Sequence, residues 1–151
     1  AELGESMGVP SAEMSRVLRP GGRVCLTDSD WRTFVVDLPD RALSARIADA
    51  VVAFRGDGAA TGGRLLNVCR DVGLTDLAHS ASTHVWDAWD PDRRPGPPGL
   101  FPLRDVFSLL AAAGNIDDAE AERFFDQIEA AARADRLFMS VSMTAVYGRA
   151  P

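Results

Sequence analysis

The stretch "EMSRVLRPGGRVCLTDSDW", residues 13–31, decides how this chain is read. Pro10-Ser11 offers a helix start, "AEMSRVL" continues it, and Pro20-Gly21-Gly22 stops it. "RVCLTD" then runs as a short, nearly continuous apolar segment, the pattern of a strand covered on both faces of a parallel sheet. The strand ends in Asp28 and Asp30, two residues apart and therefore on one face of an extended backbone, with Trp31 beside them.

Downstream, Leu43, Ile47, Ala50, Val51 and Phe54 fall at helical spacing from Asp40 onward. Gly56, Gly58 and the Gly62-Gly63 pair break the chain before a second helix with Leu65, Val68, Cys69 and Val72 on one face, and Gly73 stops it. "LTDLAHSASTHVWDAW" predicts a long strand from about Thr75 to Trp86. "DPDRRPGPPG" reads as an exposed loop. Two helices follow. One carries Leu103, Val106, Phe107 and Leu110 and ends at Gly114; the other opens at the capping signal "DDAE" and carries Ala121, Phe124, Phe125, Ile128 and Ala132. The final run "RLFMSVSMTAVYGRA" alternates, so Leu137, Met139, Val141, Met143, Ala145 and Tyr147 are expected to share one face. The whole is an α/β layered architecture, expected as one domain over residues 1–151.

Composition narrows the function by exclusion. The net charge of −6 disfavours nucleic acid and anionic membrane surfaces as partners. Every basic side chain other than His79 and His84 is arginine, so Schiff-base and lysine-nucleophile chemistry have no residue to use. Cys25 and Cys69 lie in apolar runs with no C-x-x-C pair or zinc-ligand spacing, as two reduced, buried thiols would. No run approaches the ~18 apolar residues of a membrane span, and no signal peptide is recognised, so a cytoplasmic location is expected. Gly-x-Ser-x-Gly elbows, Walker loops and Cys/His pairings are absent from the sequence.

"AEMSRVLRPGGRVCLTDSDW" closely resembles the segment of class I S-adenosylmethionine-dependent methyltransferases in which a helix leads through a PGG turn into the fifth strand. "LPDRAL" and "GGRLLNVCRDVGLTDL" resemble the later helices and the lead into the sixth strand. "LFMSVSMTAVYGRAP" resembles the seventh, which in that fold inserts antiparallel beside the fifth. The ordered set covers nearly all of residues 11–151. It implies a Rossmann-like methyltransferase sheet represented by strands five to seven and their helices, with the N-terminal cofactor half missing or truncated. Residues 1–10 are similar to the end of the helix after that family's second strand, and the text then jumps to "SAEMSRVL", where missing chain is expected. The glycine-rich turn and ribose-binding acid that hold S-adenosylmethionine in that fold are not in this sequence. Lacking its neighbours, the "RVCLTD" strand is expected to expose an edge that recruits either the missing half or a second copy, as a homodimer.

In open α/β sheets ligands bind beyond the carboxyl ends of strands, where "TDSDW" lies. Asp30 is the candidate for orienting or deprotonating a substrate hydroxyl, with Asp28 beside it and Trp31 stacking on a planar acceptor. His84 is a second candidate base; His79, five residues away, lies on the opposite face of its strand. Trp86 and Trp89, just before the proline-rich loop, are candidate substrate-lining residues beneath a lid. No metal site is expected. Three readings follow: a methyltransferase acting on a small apolar or aromatic metabolite, a cofactor-free dimeric cyclase or isomerase, and a non-catalytic subunit that completes a partner's sheet.

Overall fold

The computed structural model describes residues 13, 17–100 and 102–151; the expected remnant at residues 1–10 and most of the first helix lie outside them. Among the described residues, three strands and four complete helices follow one another in the order β-α-α-β-α-α-β. They are β1 (Arg23–Val36), α1 (Arg41–Arg55), α2 (Thr61–Asp71), β2 (Thr75–Trp86), α3 (Leu103–Ala112), α4 (Asp118–Arg133) and β3 (Met139–Arg149), with a 3-10 turn over Gly56–Ala60 between α1 and α2. The strands form one antiparallel sheet in the order β1-β3-β2, so the last strand lies between the other two. Gly21 N–H donates to Ala150 O (3.1 Å) and Ala150 N–H to Gly22 O (2.9 Å) at one end of the β1–β3 pair. Asp37 N–H donates to Phe138 O (3.0 Å) at the other.

The turn into β1 depends on its glycines. Gly21 sits at φ +72°, which L side chains rarely adopt, and a Cβ on Gly22 would meet Arg19 O at 2.7 Å. Helix starts are similarly explicit. Asp40 Oδ1 accepts from Leu43 N–H (3.0 Å) ahead of α1. At α4, Asp117 Oδ1 accepts from Glu120 N–H (2.7 Å) while Glu120 Oε2 accepts from Asp117 N–H (3.0 Å), a complete capping box.

The chain divides into two compact units: unit 1 comprises Ala1–Arg32, Gly56–Thr83 and Ser142–Pro151, and unit 2 comprises Thr33–Arg55 and His84–Val141. In unit 1 the core is Leu65, Cys69, Leu74 and Val146, with Val24, Leu26 and Leu77 packed against it. Among the described residues, α2 supplies the core's Leu65 and Cys69, and Leu18 also packs against it. Arg23, Cys25 and Thr27, on the other face of β1, are exposed, which corrects the expectation of a strand covered on both sides. In unit 2, α1 packs on α3 and α3 on α4. Phe107 stacks on Phe124 at 4.2 Å between ring centroids and meets Phe125 at 5.0 Å.

β3 departs from simple alternation. Leu137, Met139 and Val141 are buried at its start, but Val146, Gly148 and Ala150 are buried at its end, while Tyr147 is exposed. Its first part, Met139, Ser140 and Val141, is buried on both faces within unit 2, and its last part buries the even-numbered side chains within unit 1. Phe54, expected on the buried face of α1, is 42% exposed. Among the described residues no helix is long and apolar enough to cross a membrane.

Candidate functional site

The site candidates fall into two groups, one in each unit. Asp28, Asp30 and Trp31 lie along β1 in unit 1; His84, Trp86 and Trp89 lie at the end of β2 and just beyond it in unit 2.

Asp30 is buried, 7% exposed, in a stretch of strand whose neighbours are half-buried. Its carboxylate is gripped as a fork: Arg32 Nε donates to Oδ1 at 2.9 Å, Nη2 to Oδ2 at 2.5 Å, and the Arg32 backbone N–H also reaches Oδ1 at 3.2 Å. These charged hydrogen bonds hold the Asp30 carboxyl below the ordinary aspartate range, against the opposing push of burial, and raise Arg32 in return. Asp30 is therefore an ionised anchor at neutral pH and a weak base. Asp28 turns back on its neighbour, with Oδ1 accepting from Ser29 N–H at 2.7 Å. Trp31 is half-buried, its indole nitrogen shielded from solvent.

The residues that sequence reasoning passed over are Gly62 and Gly63. Rather than breaking the chain before a helix, they form the first turn of α2, and they let it lie directly on β1. A Cβ on Gly62 would stand 2.8 Å from Ser29 C and 2.9 Å from Asp28 O. One on Gly63 would stand 2.6 Å from Arg32 Nη2 and 2.7 Å from Asp30 Oδ2. The space that two adjacent glycines open is thus occupied by the strand backbone and the Asp30–Arg32 pair. Thr61, also buried, ties the turn before them by donating from Oγ1 to Gly58 O at 2.9 Å. The available signal was the doubled glycine itself, read together with a strand bearing a buried acid.

In unit 2, His84 is exposed and meets the buried Trp86 edge-on, 4.6 Å between centroids and 76° between planes. Trp86 Nε1 is buried and has no hydrogen-bond partner among the described residues. Trp89 donates from Nε1 to Arg94 O at 2.8 Å, across the proline-rich loop. That loop is fastened at further points: Arg133 Nη2 to Asp92 Oδ1 (2.9 Å), Leu103 N–H to Pro95 O (3.0 Å), and Pro97 fully buried. Trp89 acts as a loop tie here, in a segment expected from its composition to move.

Cys69 is buried, which pushes its thiol up, and Cys25 is exposed. Among the described residues no group of three His, Cys, Asp or Glu side chains converges as a metal site would require.

No family model matches the sequence. The chain is similar to an uncharacterized 37.1 kDa protein in transposon Tn4556 of Streptomyces fradiae, with 27% identity over 124 residues, 79% of this chain and 33% of that protein. The chain therefore spans about a third of the length of the curated relative it matches.

Proposed function

We propose that these residues form the acceptor-side, C-terminal half of a class I S-adenosylmethionine-dependent methyltransferase acting on a small apolar or aromatic metabolite in the cytoplasm. The observation that carries this reading is the position of β3: the last strand lies antiparallel beside the strand that follows the PGG turn, as the resemblance requires. The fit of the cofactor to the residues present is poor. The glycine pair at the start of α2 has its space filled by Asp28, Ser29, Asp30 and Arg32, which leaves no cradle there for a nucleoside. Contacts to S-adenosylmethionine are assigned instead to the rest of a longer protein, in keeping with a relative about three times the length matched.

On the acceptor side, Asp30 is a positioning residue that stays ionised and presents the half-exposed Arg32 guanidinium, while Asp28 and Trp31 border it. In unit 2, exposed His84 is the candidate base, its ring edge-on to Trp86. Calorimetric titration of S-adenosylmethionine into the natural full-length polypeptide tests the reading. Saturable one-site binding is the expected result. Silence would discard methyl transfer and leave the cofactor-free cyclase or the sheet-completing subunit, for which the terminal strands β1 and β2, each paired only with β3 among the described residues, offer the edges.

A further inference from the structure

We propose that β2 is a self-association edge, on which a second copy of this chain adds its own β2 antiparallel about a twofold axis at Ser80. The inference uses only edge chemistry and is independent of the methyltransferase reading. β2 is twelve residues long and terminal in the sheet, so among the described residues only β3 pairs with it. From Ala78 to Val85 every residue is exposed, on both faces of the strand, so the described chain does not cover it. Edge strands are ordinarily protected by charge, proline or bulges. Between Leu77 and Trp86 this one has no Asp, Glu, Arg, Lys or Pro.

Net charge makes that gap informative. Each copy carries −6, so two copies repel over most of their surfaces and meet at least electrostatic cost along a segment free of carboxylates. Other uncharged runs of similar length lie elsewhere: one in the central strand β3, one in helix α3 and one in the proline-rich loop. β2 alone combines the missing charge with an open row of backbone donors and acceptors.

Geometry limits the register. A twofold normal to the sheet keeps each side chain on its own face, so directly opposed residues must have numbers of the same parity. Centring on Ser80 opposes small or uncharged partners throughout: Ser80 with Ser80, His79 with Ala81, Ala78 with Ser82 and Leu77 with Thr83. Beyond each end lie Asp76 of one copy, held by Arg149 Nε at 3.4 Å, and His84 of the other. Asp76 has a left-handed φ of +51°, so the regular ladder starts at Leu77 and this seven-residue block is the part that pairs. The interface is isologous and closes on itself, which gives dimers rather than fibres.

The test is the mass of the 151-residue chain by light scattering across a dilution series, compared with Ser80→Lys and Ser80→Glu, each checked for native circular dichroism. Dimers are expected for the wild type, monomers for each variant alone, because the twofold would oppose like charges, and dimers again when the two variants are mixed in equal amounts. A monomeric wild type would overturn the proposal. So would a Ser80→Lys protein that remains dimeric, or a mixture that stays monomeric. Thr27→Lys, on β1, is expected to leave the dimer intact; loss of the dimer in that variant would move the interface to the other edge and refute this one.

Discussion

Among the described residues, unit 1 builds a small aliphatic core under α2, whereas unit 2 joins α3 to α4 through stacked phenylalanines and packs α1 against α3. The contrast extends to what each leaves uncovered. Unit 1 exposes Cys25, Thr27 and Tyr147 along its strands, while unit 2 binds even its proline-rich loop down, through Trp89, Arg133 and the buried Pro97. Unit 2 has the larger aromatic interior, yet it also leaves Val35, Phe54, Leu109 and Phe138 exposed. Unit 1 is the one that holds the buried acid, Asp30.

The comparison breaks most visibly at Phe124. Phe124→Ala removes the centre of the aromatic stack and is expected to lower stability by about 3–5 kcal/mol, read as the loss in free energy of urea unfolding. If the loss is under about 1 kcal/mol, unit 2 is not the well-packed partner in this contrast. Next is Gly62→Ala, where the new methyl meets strand backbone rather than a flexible side chain. A loss of about 1–3 kcal/mol is expected, even though alanine favours the helix. Gly58→Ala, with open space around it, serves as the control and is expected to be neutral or slightly favourable.

Asp30→Asn gives a smaller effect than Gly62→Ala but a more diagnostic one. The folded carboxyl titrates below its unfolded value, so its contribution is fully present above about pH 4 and is lost as pH falls through the lower, folded value. The gap between wild type and Asp30→Asn should therefore be constant near neutrality and close in acid. A gap that widens on acidification would mean that Arg32 does not grip Asp30 as described.

Much of the architecture was legible. β2 runs over the residues that its alternation and flanking turns predicted, and the Asp117 capping box stands where "DDAE" signalled a helix start. Local signals of this kind act over a few residues and need no tertiary information. Three features were hidden for the opposite reason. The open face of β1 depends on which helices exist to cover it, and a nearly continuous apolar run does not record that. Gly62-Gly63 resembled a chain break because close helix–strand approach and helix termination both call for glycine. Of the site, the nearness of Asp28, Asp30 and Trp31 was readable from β-strand spacing. The capture of Asp30 by Arg32 was not, because strand periodicity places both on one face without saying whether they bond.

The change of buried set along β3 has a consequence for how this chain tolerates change. A strand's two sides are one residue apart, and here the transition falls within the half-buried residues Ser142, Met143, Thr144 and Ala145. Adding or deleting one residue there would rotate Val146, Gly148 and Ala150 outward while Leu137, Met139 and Val141 kept their places. Those four positions can vary in chemistry far more freely than in number, because their spacing carries the phase of the C-terminus.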